Sequence, residues 1–346
     1  MHHINMSQMV QENKRLTVTI IGLGNIGLLY DFKKTKDSEE FLTHTRSANY
    51  HKNFEIKFLI DNDQRKLELA KKKYGSEINY FDSINEDYIP TDIVVLSSYP
   101  EINSFYLNKL KNIKEIKLFL IEKPFLNSNE ILSKYKDIID KTYINYYRKS
   151  LPFYKELKNN IDNYNFGDMI GVNIFYSKGL NNNGSHLIDL MNYLFKSNYN
   201  SNSINIINFK NDYSEDDESI TFSVEYNYKN KPFTTIFHAL DESKFSLIEL
   251  DIVFDKKRFR IFDFGGKIEI YNVESDKTFS GYKNLITYEF KDSNINYYGM
   301  YTYDTIYSIL TGNEKNYSTL IDESKVFDLK KSVHKKLKTF KKKYYE

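Results

Sequence analysis

The sequence contains no cysteine, so no disulfide can brace it and no thiolate can act as nucleophile or metal ligand. That absence suits a reducing compartment, and a cytoplasmic location is expected. Tryptophan is missing too, whereas tyrosine (30) and phenylalanine (25) are plentiful. Together with abundant Asn, Lys and Ile, this reads as compositional bias rather than as a stacking platform. No apolar run reaches the roughly 18 residues that a membrane-spanning helix needs. No charge of one sign dominates either. Against 47 acidic residues stand 49 basic ones, a net charge of +2, so neither nucleic acid nor a membrane surface is expected as a partner. The lysines near the C-terminus are read as a solvated helix face. Residues 1–14 are polar, lack the apolar core of a signal peptide and are expected to form a loose extension that includes His2 and His3. No internal repeat is visible. No set of His, Asp and Glu has zinc-like spacing, so no metal is expected.

What is present begins with a strand feeding a glycine turn. Residues 18–21, Val-Thr-Ile-Ile, read as a buried strand that runs directly into Gly22, Gly24, Asn25, Ile26 and Gly27, a G-x-G-x-x-G. Glycine at the first position permits a tight turn. At the second it leaves no Cβ to hold a pyrophosphate off the backbone. At the third it lets the following helix pack against the strand, with its N-terminal N–H groups toward the phosphates. The helix-compatible run over 26–30 supplies the context the motif requires. The next strand, over 54–60, ends at Asp61, which is placed to accept hydrogen bonds from both adenosine ribose hydroxyls. The stretch from Gly27 to Asp61 exceeds the usual separation of about 20 residues, and the polar segment 31–40 is read as an inserted loop. Asp61 would repel a 2′-phosphate, so NAD is favoured; Arg65 and Lys66 close by keep NADP open. Asp61 can also cap the helix expected over 64–74.

Strands are then expected over 79–81, 92–97, 116–121 and 142–146. Helices are expected over 102–110 and from Asn127 or Ser128 to about 140. Strands alternating with helices give a doubly wound parallel sheet, the Rossmann arrangement, whose ligands lie beyond the carboxyl ends of the strands. The predicted crevice therefore comprises 22–27, Asp61, Ser97, Ser98, Pro100, Glu122, Lys123, Pro124 and 145–148. Past Pro152 the pattern changes. A helix over 152–160, a strand over 169–177, a loop over 178–184 and a helix over 185–195 precede mostly period-2 strand material: 203–209, 219–228, 233–239, 246–254, 258–262, 267–272 and 284–290. Helices over 300–310 and 323–342 close the chain. Successive strands without intervening helices argue for an α+β domain with a large, mostly antiparallel sheet, open on one face. Such a face calls for a second copy, so a homo-oligomer, dimer or tetramer, is expected. The domains are set at 1–14, 15–150 and 151–346.

Three clusters carry chemistry. Lys123, in Glu122-Lys123-Pro124 at a strand end, can have its pKa lowered by partial burial and act as acid or base; an ordinary exposed lysine is the alternative. In Asn182-Asn183-Gly184-Ser185-His186-Leu187-Ile188-Asp189, Ser185 is expected to cap a helix. The spacing places Asp189 beside the His186 imidazole, where it could orient the ring while the helix dipole holds the pKa down. A packing histidine is the alternative. No G-x-S-x-G surrounds Ser185, so a hydrolase triad is excluded. Arg148, in Asn145-Tyr146-Tyr147-Arg148-Lys149, can hold cofactor or substrate, or fasten the two halves together; the fastening role is favoured.

Taken together, GLGNIG at 22–27, Asp61, Glu122-Lys123-Pro124, the stretch 145–149 and Gly184-Ser185-His186-x-x-Asp189 resemble the Gfo/Idh/MocA (glucose–fructose oxidoreductase/inositol dehydrogenase) family over nearly the whole chain. The resemblance implies a NAD(P)-dependent oxidoreductase moving hydride between nicotinamide and a hydroxyl or keto carbon of a sugar. Lys123 would hydrogen-bond the reacting hydroxyl and His186 would be general base. Asn182 stands where many members carry Asp, which weakens the free-polyol or inositol reading and favours members of surface-polysaccharide pathways acting on nucleotide-linked sugars. The resemblance also covers catalytically silent dinucleotide-binding regulators, although these lack a use for both Lys123 and His186.

Overall fold

The apolar runs of the first half assemble into one parallel sheet. The computed structural model describes residues 15–85, 88–125, 130–214 and 217–344; the extension at 1–14 and the helix start at Asn127 or Ser128 lie outside them. Strands β1 (Leu16–Ile21), β2 (Phe54–Ile60), β3 (Asn79–Phe81), β4 (Ile93–Leu96), β5 (Leu118–Ile121) and β6 (Thr142–Ile144) line up as β3-β2-β1-β4-β5-β6, every pair parallel. β4 and β5 are buried at every position, as expected of continuous apolar runs covered on both faces. The connections carry α1 (His44–Tyr50), α2 (Gln64–Tyr74), α3 (Pro100–Leu110) and α4 (Glu130–Lys134). The strand order changes direction at β1, between β2 and β4, and this opens the crevice beyond their carboxyl ends.

The helix expected directly after the glycine turn is only a single π-helical turn, Asn25–Leu29. The chain then leaves the sheet in a loop, as the polar segment 31–40 suggested, before α1 begins. Two buried charges organise that loop. The Asp31 carboxylate accepts from the N–H groups of Leu42 and Thr43 and from the Thr43 hydroxyl. The Arg46 guanidinium lies between the rings of Phe41 and Tyr50, 4.8 Å from each, and donates to the carbonyls of Thr35, Ser38 and Glu40.

After α5 (Pro152–Asp162) come β7 (Met169–Tyr176), α6 (Ser185–Phe195), β8 (Tyr199–Ser214), β9 (Asp217–Tyr228), β10 (Lys231–Ala239), β11 (Ile248–Phe254), β12 (Lys257–Phe262), β13 (Lys267–Ser275) and β14 (Lys283–Asp292). Their order is β14-β13-β12-β11-β7-β10-β9-β8, antiparallel except for the pair β7 and β10. Every second residue is buried along β11 and, from Ile220 on, along β9, which is the half-covered pattern the alternation predicted. One face packs on α5, α6 and α8 (Leu320–Tyr344). The other carries ion pairs, Arg258 with Asp251 and Arg260 with Glu269, around a stacked Phe175–His238 pair.

α7 (Tyr298–Leu310) returns to the parallel sheet, where Tyr303 and Ile306 pack with Val18, Ile20, Phe54 and Leu59. It also holds the 31–42 loop: Gly299 donates to the Phe41 carbonyl at 3.0 Å and the Tyr298 hydroxyl to the Leu42 carbonyl at 2.6 Å. Among the described residues no helix is long and apolar enough to cross a membrane.

Candidate active site

The glycine turn is shaped as its residue types require. Gly22 has φ +97°, and a Cβ there would meet the Ser97 backbone at 2.8 Å. The Ser97 hydroxyl donates to the Gly22 carbonyl at 2.7 Å, tying the end of β4 to the turn. A Cβ on Gly27 would run into that same Gly22 carbonyl oxygen at 2.0 Å, so only glycine allows the π turn to close against the strand. Gly24 is the reverse case: a Cβ would meet nothing within 4 Å. Its outer side is open space along the crevice wall.

Asp61 is nearly buried at 8% exposure. Its Oδ2 accepts from the Leu23 N–H at 2.6 Å and its Oδ1 from the Asp63 N–H at 2.9 Å, so it pins the glycine loop from below. The cap of α2 is Asp63, not Asp61. Lys66 reaches both Asp61 oxygens at 3.2 and 3.3 Å, whereas Arg65 pairs with Asp63.

A crevice of about 600 Å³ runs from this turn to the start of α6. Gly22, Gly24, Asn25, Ile26 and Asp61 line one end, Ser97 and Ser98 its middle, and Glu122, Lys123, Asn145 and His186 the other. Pro100 opens α3 at the rim, where Tyr99 rather than Pro100 faces the crevice. Lys123, at the turn leaving β5, donates across the crevice to Asn182 Oδ1 at 3.1 Å. Burial lowers the Lys123 pKa from 10.5 to about 8; Glu122 opposes this, while Lys330 and Arg148 add to it. His186 wedges between Tyr146 and Tyr147, 5.4 and 5.5 Å from their rings. Burial first, then the charges of Lys123 and Arg148, hold its imidazole well below the usual 6.5, so it is neutral at neutral pH.

The other candidates lie off the crevice. Asp189 does not orient His186: its carboxylate accepts from Lys149 Nζ at 2.7 Å in a pair almost wholly buried. The i, i+3 spacing puts the two residues on neighbouring positions of α6, but Asp189 turns inward to the cation. Ser185 is not the cap; it begins α6, is fully buried and donates to the Asn182 carbonyl. Arg148 is buried with its ring-stacked guanidinium over Tyr147, and it donates to the Phe264 carbonyl of the second half at 2.7 Å, the fastening role.

Several site residues had no local signal. His44 Nε2 meets Glu122 Oε1 at 3.0 Å, the same oxygen to which Asn145, one of the predicted crevice positions, donates at 2.5 Å. Asp217 accepts from the N–H groups of Asn181 and Asn182 and so fixes the turn that presents Asn182 to Lys123. Tyr298 reaches the crevice from α7, with its ring 4.6 Å from Tyr147. The run His44–Tyr50, HTRSANY, has a single aliphatic residue, Ala48, and nothing in it marks α1 or His44. Among the described residues no group of three or more metal-binding side chains is assembled.

No protein-family model matches the chain, and neither does any curated protein sequence. Solved structures do. The chain is similar to a WlbA dehydrogenase from Bordetella pertussis in complex with NADH and UDP-GlcNAcA, at TM-score 0.68 and 13% identity, over 94% of this chain and 96% of that one. An oxidoreductase from Agrobacterium radiobacter in complex with NAD+, L-tartaric acid and magnesium aligns at 0.67 and 12%, over 93% and 96%. A super-repressor mutant of Gal80p from Saccharomyces cerevisiae aligns at 0.70 and 16%, over 93% and 95%. At such identities the likeness shows the fold, a Rossmann-type parallel sheet joined to a large mixed, mostly antiparallel one.

Proposed function

We propose that the chain is a NAD(P)-dependent oxidoreductase of the Gfo/Idh/MocA type, acting on a hydroxyl or keto carbon of a sugar carried on a nucleotide. The observation that carries this reading is the single crevice with an open glycine turn at one end and Lys123 with His186 at the other. Gly24, Asn25 and Ile26 would hold the pyrophosphate, Asp61 and Lys66 the adenosine ribose, and Ser97 and Ser98 the middle of the dinucleotide. The nicotinamide supplies the hydride acceptor or donor. The likeness to a dehydrogenase crystallised with NADH and UDP-GlcNAcA supports the substrate class, and the open sheet face supports pairing with a second copy. A cytoplasmic location accords with the lack of cysteine.

The residues divide the proton chemistry between them. An imidazolium at position 186 would form beside the Lys123 ammonium and the Arg148 guanidinium, so His186 serves better as a neutral hydrogen-bond partner of the substrate oxygen. Lys123, titrating near pH 8, takes the hydroxyl proton in oxidation and returns it in reduction. The base must be neutral to accept a proton. Oxidation of added nucleotide sugars with NAD or NADP should therefore rise with pH and reach half its maximum near 8. Reduction should fall through the same range. A limb well below 6.5 would instead assign the proton to His186, and no turnover on any nucleotide sugar would remove the substrate class. The likeness to Gal80p supports a second reading, a dinucleotide-binding regulator without turnover; the same assay separates the two.

A further inference from the structure

The adenosine end of the crevice holds an ion pair where a bare carboxylate would select against a 2′-phosphate. Both Asp61 oxygens are committed to backbone N–H groups, those of Leu23 and Asp63. Lys66 closes the remaining side, within 3.3 Å of each oxygen, and belongs to the crevice wall. Its side chain keeps 29% of its surface exposed while that of Asp61 keeps 6%. The outermost charge at this position is therefore the ammonium, not the carboxylate. Arg65, the other cation nearby, is engaged by both oxygens of Asp63 and is not among the residues lining the crevice.

Building on the proposed cofactor role, we infer that Lys66 determines cofactor choice: it neutralises Asp61 and offers its ammonium to a 2′-phosphate, so that the chain accepts NADPH as well as NADH. The physical ground is charge. A carboxylate facing a phosphate dianion is repulsive, whereas a lysine ammonium forms charge-assisted hydrogen bonds to phosphate oxygens. When the 2′-hydroxyl is unmodified, Lys66 can stay on Asp61 and the ribose meets the pair as hydrogen-bonding partners. With a 2′-phosphate, the ammonium turns outward and Asp61 remains held by Leu23 and Asp63. This reverses the preference for NAD that Asp61 alone suggests.

The test is equilibrium titration of the full chain with NADPH and with NADH, followed by nucleotide fluorescence. The wild-type dissociation constants should agree within about tenfold. Lys66→Glu should raise the ratio of the NADPH constant to the NADH constant at least tenfold, and Lys66→Arg should keep the wild-type ratio. Lys66→Arg should melt with the wild type; Lys66→Glu sets a second carboxylate against Asp61, so it is read as the ratio of the two constants, which a stability loss common to both titrations leaves unchanged. A wild type that binds NADH but rejects NADPH by a thousandfold or more would overturn the inference. So would a ratio unchanged, within about twofold, in Lys66→Glu. Failure of both nucleotides to bind would instead overturn the cofactor reading beneath it.

Discussion

Replacing Lys123 with Met should lower turnover by about 10²- to 10⁴-fold, the range in which a positioned proton-transfer group contributes. Methionine keeps the apolar stem that fills the space after β5 and deletes only the ammonium. Two consequences separate this from general damage. First, NADH affinity should stay within about threefold, because Gly24, Asn25 and Asp61 hold the far end of the crevice independently. Second, the pH limb near 8 should vanish from the residual rate. Stability should not drop: burial already disfavours the ammonium in the folded state, so removing the charge at neutral pH relieves a desolvation cost. A variant with ordinary turnover would take Lys123 out of the chemistry.

Lys149→Met should cost about 3–5 kcal/mol of stability, the penalty for stranding one member of a buried ion pair. Lys149 and Asp189 are 4% and 3% exposed, with 2.7 Å between Nζ and Oδ1. The Lys149 ammonium also donates to the Tyr317 carbonyl, so α6 and the segment before α8 lose a common partner. The loss should depend on pH with a fixed sign. Burial already lifts the Asp189 carboxyl from 3.8 to about 7, against the pull of Lys149. Without Lys149 the folded-state pKa rises further. A group whose folded pKa lies above its unfolded value stabilises below the unfolded value and loses that contribution as pH rises through the folded one. Denaturant midpoints should therefore show a larger penalty at about pH 8 than at about pH 5. The double variant Lys149→Met, Asp189→Leu should recover most of the loss, since an apolar pair of similar volume can replace a buried ion pair. An equal penalty at both pH values would mean that packing, not charge, dominates.

Features that depend on neighbours along the chain are legible in the sequence. The six strands of the first sheet, the glycine turn and the crevice-end positions Asp61, Ser97, Ser98, Glu122 and Lys123 all follow from apolar runs ending in polar or glycine residues. The long second sheet followed from period-2 alternation, although β8 runs from Tyr199 to Ser214 rather than over 203–209. What failed were inferences about side-chain direction. The spacing of His186 and Asp189 on α6 allows contact, but it does not say which competing partner lies closer, and Lys149 comes from a turn 40 residues upstream. Long-range partners left no local trace. His44, Asp217 and Tyr298 reach the site from α1, β9 and α7, and the return of α7 to the first sheet is set by tertiary packing of Tyr303 and Ile306. The single π turn after Gly24 was hidden for another reason: residues 26–30 suit a helix, yet the buried Asp31 draws the chain away to Leu42 and Thr43.

The central claim is that a dinucleotide lies along this crevice with its phosphates over Gly24, and binding of NADH to Gly24→Asp tests it most directly. An aspartate side chain would project into the open space beyond Gly24 and bring a negative charge to the phosphate position, while touching nothing in the protein within 4 Å of its Cβ. Wild type should show saturable NADH binding, and Gly24→Asp should weaken it at least a hundredfold with an unchanged melting temperature. Equal NADH affinity in the two proteins would contradict the account.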